Sequence, residues 1–228
     1  TFRENLRGIL GISAANLLFL INDTMIKLAS EEMPLGQILF TRGLFATILL
    51  IPIAYAAGAM RHIRSIWSLG LLLRTVAEIA SAILFILALF NMPIGNINAI
   101  LQVVPLMVTA CAAVLLGEQV GWRRWSAISV GFLGVVIVIR PGLAGFDAWS
   151  LVALASMLFI TLRDLATRMM PRGIPVLLVA LVTAIAVAVT GPVFGVAAGE
   201  TWSFPSNDAL LLIAGAAVLL IGGYLFAV

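Results

Sequence analysis

A chain of 228 residues that is 63% hydrophobic and 10% charged, with a mean hydropathy of +1.18, has the composition of a membrane protein and not of one or two soluble domains. Its formal charge of +3 comes from 13 Lys and Arg against 10 Asp and Glu, scattered singly and in pairs, which excludes a nucleic-acid-binding surface. One cysteine, Cys111, and one histidine, His62, exclude a disulfide framework and a Cys- or His-based metal site within the chain.

About 20 apolar residues are needed to cross the hydrocarbon, and eight stretches are predicted to do so: 8–29, 35–57, 67–90, 97–117, 123–140, 149–169, 175–197 and 209–228. Turn chemistry separates several of them: Glu31-Glu-Met-Pro34, Asn91-Met-Pro-Ile-Gly95, Arg140-Pro-Gly142 and Ser203-Phe-Pro-Ser206. The expected fold class is therefore an all-α polytopic membrane protein.

Span 1 places Ser13, Asn16, Asp23 and Lys27 on one stripe, at steps of three, seven and four residues. The stripe reads as a polar wall of a substrate cavity or as an Asp23–Lys27 pair that neutralises itself. An unneeded pair in a membrane is a pure insertion cost, which favours the cavity. Lys27 lies near the outer end of the span and can also snorkel to the interface. Span 2 follows Pro34 and carries Arg42 about two turns in, with no acid within four positions on its own helix. Arg42 needs an inter-helix partner, for which Asp23 is the candidate, or an anionic ligand group that a planar guanidinium can grip with paired hydrogen bonds. In span 3, Arg74 and Glu78 are four apart and Ser81 and Phe85 continue the face. They form either a further polar element of the cavity or a snorkelling Arg neutralised by Glu78.

Span 4 carries Asn98, Gln102, Pro105 and Thr109 on one stripe, read as cavity wall or as inter-helix glue. Pro105 frees a backbone carbonyl around position 101, which suits a gating kink. Glu118, in the turn that follows, is expected to fix a helix end or pair with Arg123 or Arg124 and not to touch substrate. Span 5 is short, and Ala127-x-x-x-Gly131 in it, like the glycines of span 8, reads as close helix packing. In span 6, Arg163 and Asp164 are adjacent and so are expected to face different directions, one lining the pathway and the other pinning a neighbour. Trp67, Trp122, Trp125, Trp149 and Trp202 all lie near span ends, as interfacial anchors do.

Seven ionisable residues thus sit where hydrocarbon is expected: Asp23, Lys27, Arg42, Arg74, Glu78, Arg163 and Asp164. At roughly 2.5–3.5 kcal/mol each they would cost on the order of 20 kcal/mol if all were central, so they mark function. Orientation follows from where Lys and Arg fall at the ends of the spans and between them. With the N-terminus inside, Arg3, Arg7, Arg61, Arg64, Arg123, Arg124, Arg168 and Arg172 are cytoplasmic and only Arg140 is outside, a strong positive-inside bias.

Asp23, Lys27 and Pro34 recur 141 residues later as Asp164, Arg168 and Pro175. The same offset maps spans 1, 2 and 3 onto spans 6, 7 and 8. Five spans separate the copies, and an odd number of crossings inverts the second, as in secondary transporters. The expected domains are a first five-helix repeat over 1–141 and an incomplete inverted repeat of three helices over 142–228. The chain starts at Thr1 and stops inside Tyr224-Leu-Phe-Ala-Val228, so it is expected to be trimmed at both ends and to lack two final helices.

Asn22-Asp23…Lys27, Pro34 then Arg42, Pro105, and above all Leu116-Gly117-Glu118 followed by Gly131 and Gly134 resemble the drug/metabolite transporter superfamily in its EamA-like branch. The resemblance implies ten helices in two inverted five-helix repeats, a central cavity and alternating access. The repeat counterpart of Arg42 is Thr183, so the halves are not equivalent at the pathway.

The function expected is secondary transport of a small polar metabolite (amino-acid-like, a carboxylate or a related solute) across the bacterial inner membrane, proton-coupled or by exchange, with Asp23 or Glu78 as proton carrier. Substrate contacts are assigned to Asn16, Asp23, Lys27, Arg42, Arg74, Glu78, Asn98, Gln102, Arg163 and Asp164, and gating or structural roles to Pro105 and Glu118. No cofactor, metal or nucleic acid is expected; the partners are a small-molecule substrate and the lipid bilayer, with a homodimer left open. There is no nucleotide-binding loop for ATP drive. A non-transporting truncated remnant is the alternative. An intramembrane enzyme lacks its nucleophile–base or metal ingredients, and a channel calls for rings of like charge that are not seen here.

Overall fold

A computed structural model describes residues 2–115, 117–139, 148–171 and 173–227. The expectations that fall on Leu116, Arg140, Pro141, Gly142 and Arg172 lie outside those residues, as do the side chains of Arg3 and Arg7. Among the described residues the regular structure is helical and no strand occurs: α1 (Phe2–Ala29), α2 (Leu35–Ala56), a 3-10 segment (Ala59–Trp67), α3 (Leu69–Asn91), α4 (Ile94–Leu101), α5 (Val104–Leu115), α6 (Trp122–Ile139), α7 (Ala148–Arg168), α8 (Val176–Ala197) and α9 (Asn207–Ala227). An all-helical answer follows from the solvent. In hydrocarbon each backbone N–H and C=O must find its partner within the chain, and a helix supplies those partners locally. Hydroxyls inside the helices obey the same rule, with Thr41 donating to the Gln37 carbonyl, Thr47 to Gly43 and Thr190 to Ala186.

Among the described residues, five spans are long and apolar enough to cross a membrane: Leu35–Ala56, Leu69–Asn91, Ile94–Leu115, Ala148–Arg168 and Val176–Ala197. The chain is an all-α polytopic membrane protein. Leu17, Ile48, Val76, Val130, Val189 and Leu211 stand exposed on helix surfaces, where lipid replaces water as the solvent. Prolines set three helix starts, Pro34, Pro93 and Pro175 lying immediately before α2, α4 and α8.

The fourth span differs from the expected single helix over 97–117. It begins at Ile94 and is interrupted at Gln102 and Val103. Pro105 has no N–H to give the Leu101 carbonyl, so the ladder breaks there and restarts with Met107 bonded to Val103. The first span is also longer than expected, since α1 starts at Phe2.

Two compact units make up the chain. One joins residues 1–60 with 180–228, and the other runs over 61–179. In the first, α1 and α9 lie antiparallel, with Met25 against Gly215 and Leu18 against Gly222. In the second, α3 and α7 lie antiparallel, with Gly70 against Met170, Arg74 against Thr167, Glu78 against Arg163 and Ser81 against Ser156. Ser156 donates its hydroxyl to the Ser81 carbonyl at 3.1 Å, both residues being buried. α2 and α8 each hold 22 residues and begin 141 positions apart. The glycine that follows each, Gly58 or Gly199, has φ of +69° or +67°, a left-handed turn that glycine takes without strain.

Close approach of α2 and α8 explains why small residues recur on both. A Cβ on Gly43 would lie 2.6 Å from the Ala188 nitrogen, and one on Gly191 would lie 2.5 Å from the Phe40 nitrogen. Gly131 sits against Leu106, which agrees with the packing role read for it, whereas Gly134 has open space around it. Gly43→Ala is therefore expected to destabilise the fold by about 1–3 kcal/mol through overpacking. Gly134→Ala is expected to be neutral or to stabilise by up to about 1 kcal/mol, since it only improves helix propensity. Thermal midpoints of the two variants in detergent read the difference.

Candidate functional site

Asp23 and Asp164 anchor the charged groups of the two units. On α1, the Asn22 side-chain Nδ2 donates to Asp23 Oδ1 at 2.9 Å. On α7, Arg163 Nε donates to Asp164 Oδ1 at 2.8 Å. Each aspartate is thus held by the residue before it, and Asn22 and Arg163 are themselves 141 positions apart. Sequence reasoning did not include Asn22 among the site residues. Extending the offset by one position would have found it.

In the unit of residues 1–60 and 180–228, Asn22 and Asp23 are both buried, 2% and 8% exposed. The Arg42 guanidinium on α2 lies within Coulombic reach of the Asp23 carboxylate, so the inter-helix partner expected for Arg42 is at hand. Asn22 Oδ1 is buried with no hydrogen-bond partner, an acceptor whose desolvation costs about 1–3 kcal/mol when it stays unmet. Leu18 and Met25, which touch α9, bracket Asn22 at spacings of four and three, so the amide belongs to the α1–α9 seam. Lys27 lies half-buried in the last turn of α1, where the helix dipole favours a cation. Asn16 is exposed, so the stripe from Ser13 to Lys27 does not share one environment.

In the unit of residues 61–179, Arg163 bridges two carboxylates. Its Nη1 meets Glu78 Oε2 at 3.2 Å across the α3–α7 seam and its Nη2 meets Asp164 Oδ1 at 2.8 Å. This corrects the expectation that Arg163 and Asp164 diverge. The guanidinium is long enough to fold back along the helix surface to its neighbour's carboxylate, so adjacency in sequence does not separate the charges. Arg74, 8% exposed, donates Nε to the Thr167 hydroxyl at 3.1 Å. Asn98 spends its amide on the Ile94 carbonyl of its own helix at 3.1 Å. Gln102 and Pro105 are exposed at the interruption between α4 and α5, and Thr109 bonds the Pro105 carbonyl.

Glu118 differs from the expected pairing with Arg123 or Arg124. Its carboxylate takes Arg168 Nη1 at 3.1 and 3.2 Å, tying the turn after α5 to the end of α7. Arg123 instead lies over the Trp122 ring, 5.8 Å from its centroid. Trp202, expected as an interfacial anchor, donates its indole N–H to Glu200 at 3.0 Å and packs on Phe40 with ring centroids 5.7 Å apart.

The class that these features define is a helical membrane protein with ionisable side chains held in mixed-sign groups inside its spans. Comparison with known proteins gives the class its family. The chain belongs to the EamA-like transporter family, whose model matches residues 6–140, within the drug/metabolite transporter superfamily. It is similar to a riboflavin transporter of Vibrio cholerae, 26% identical over 94% of this chain and 72% of the relative. It is also similar to an S-adenosylmethionine uptake transporter of Rickettsia prowazekii, 26% identical over 56% of this chain and 43% of the relative. A pseudopaline exporter of Pseudomonas aeruginosa is 23% identical over 71% of this chain and 58% of its own length. No solved structure matches. The family and the relatives' names point to transport and not to catalysis.

Glu78 and Glu118, which each meet an arginine, separate by burial. Glu78 faces Arg163 with their side chains 15% and 20% exposed, whereas Glu118 and Arg168 are 48% and 44% exposed. Glu78→Gln is expected to cost about 1–3 kcal/mol because it leaves a charge poorly compensated in the seam, and Glu118→Gln less than about 1 kcal/mol. Unfolding midpoints of both variants in the same detergent test the ranking.

Proposed function

We propose that this chain is part of a secondary carrier that moves a small polar metabolite, amino-acid-like or bearing a carboxylate, across the bacterial inner membrane by alternating access. Residues 1–141 form its first repeat and 142–228 belong to an inverted second one, with the N-terminus in the cytoplasm. The observation that carries the reading is the pair of dyads, Asn22–Asp23 and Arg163–Asp164, with one hydrogen-bond pattern and a spacing of 141 residues. Three further features support it. α2 and α8 begin and end at the same offset, and so do the left-handed glycines behind them. The offset also carries α1 onto α7 and α3 onto α9, so the two antiparallel seams are counterparts of each other.

Asp23 with Arg42, and Glu78 with Arg163 and Asp164, are the groups assigned to substrate and coupling ion. Arg42 grips an anionic group, because a guanidinium offers two parallel N–H donors to a carboxylate. Asp23 and Glu78 are the acids suited to carry a proton in coupling or exchange. Asn16, Lys27, Arg74, Asn98 and Gln102 are the remaining polar contacts proposed. Riboflavin, S-adenosylmethionine and pseudopaline in the relatives' names are organic metabolites, which supports cargo of that kind, and the names include both an uptake transporter and an exporter.

Uptake and efflux of a panel of metabolites by the protein and by Arg42→Ala test this reading. The variant is expected to fold normally and to lose about tenfold or more of the flux of its anionic substrate, the loss of one charge-assisted contact. Full flux through a normally folded Arg42→Ala would remove Arg42 from the site.

A further inference from the structure

The segment that follows α8 ties down the start of α2. Pro34 offers no side-chain cap to α2, so the first N–H groups of that helix must be met from elsewhere. Glu200, 164 positions further along the chain, meets one of them. Both its carboxylate oxygens accept the Gly36 N–H, at 3.1 and 3.0 Å. Trp202 fixes the carboxylate from the other side with its indole N–H at 3.0 Å, and its ring lies on Phe40 of α2. Gln37 Nε2 donates to the Ser203 carbonyl at 2.6 Å. The left-handed Gly199 makes this possible by reversing the chain behind α8, where Glu200 N–H bonds the Gly195 carbonyl at 2.8 Å. The contact leaves no slack. A Cβ on Gly36 would fall 2.6 Å from the Gly191 carbonyl oxygen and 2.7 Å from the Glu200 carboxylate.

The residues of the strap do not recur at the positions equivalent by repeat, which fall at the other end of the same helix pair. Carried through the 141-residue offset, Glu200 corresponds to Ala59, Gly36 to Leu177 and Gly191 to Leu50. One end of the α2–α8 pair is therefore closed by glycine contacts and a carboxylate clasp, while the positions equivalent by repeat at the opposite end carry leucines and an alanine. A clasp confined to one end is not a requirement of the fold.

We propose that Glu200 is a positioning residue that latches the outer end of α2 against α8 and so governs access from outside to Arg42, six residues, or about 9 Å along the helix, beyond Gly36. The inference rests on the alternating-access reading and cytoplasmic N-terminus proposed above. Release of the latch frees the first turns of α2 and opens the outer approach to Arg42, and its formation closes that approach.

Cysteine labelling tests this without any substrate, so its outcome is independent of whether Arg42→Ala loses transport. In the full chain with Cys111→Ala, Arg42→Cys is exposed to a membrane-impermeant cationic thiol reagent from outside, and the rate is compared with and without Glu200→Ala. A Ser81→Cys reporter in the other unit reads general loosening. Loss of charge-assisted bonds to Gly36 and Trp202 is expected to raise the rate at position 42 about tenfold or more, and at position 81 less than about twofold. Glu200→Gln keeps an acceptor oxygen for Gly36 and is expected to stay within about threefold of the unaltered latch. An unchanged rate at position 42, an equal rise at position 81, or a rise seen only with reagent on the cytoplasmic side would overturn the proposal.

Discussion

An ion inside hydrocarbon survives only where a second charge or a set of aimed dipoles neutralises it, and this condition governs how the helices of the protein pair. Arg163 brings together Glu78 from α3 and Asp164 from its own helix, so the α3–α7 seam is fixed in register by charge. Arg74 and Thr167 extend the same register one turn further, and Ser81 and Ser156 extend it in the other direction. The α1–α9 seam meets the same condition by other means. Asn22 holds Asp23, Arg42 faces it from α2, and glycines on α9 admit Leu18 and Met25. Where Arg163 reaches Glu78 in one seam, the counterpart positions in the other are Asn22 and Leu219. In the α3–α7 seam the charges meet one another across the helices. The α1–α9 seam keeps a buried amide oxygen unmet.

That difference bears on function. Two helix pairs built alike but charged differently cannot respond equally to a ligand or a proton, and a carrier needs such inequality to favour one face over the other at each step. Thr183, where the 141-residue offset would put a second arginine, points the same way. So does the carboxylate clasp of Glu200, which occurs at one end of the α2–α8 pair.

Much of this was legible in the sequence, for reasons that are local. Hydrocarbon demands about 20 apolar residues per helix, so the apolar runs located the five crossing spans to within about three residues, and Pro34 and Pro175 fixed the starts of α2 and α8. The break at Gln102 and Val103 was foreshadowed by Pro105, although its consequence, two helices in place of one, was not. The partners of the charges were less legible. Periodicity says which residues share a face of one helix, and nothing about which helix lies opposite. Glu118 therefore seemed destined for Arg123 or Arg124, close in sequence, and took Arg168, fifty positions away. Arg163 and Asp164 seemed to diverge because backbone geometry separates neighbours, yet a long guanidinium spans that angle. Glu200 carried no signal at all, since a lone acid in a loop becomes informative only when the helix start it serves is known.

Membership of the EamA-like family places the chain among transporters, and the mutually neutralised charges support the proposal of a carrier rather than an open pore. The most direct test of that claim is counterflow in proteoliposomes of the protein. Vesicles loaded with unlabelled metabolite are offered the labelled form outside. A carrier is expected to show saturable entry that accelerates when the unlabelled solute waits on the far side. Flux that rises linearly with concentration and ignores the trans solute, accompanied by ion current orders of magnitude faster, would contradict the account.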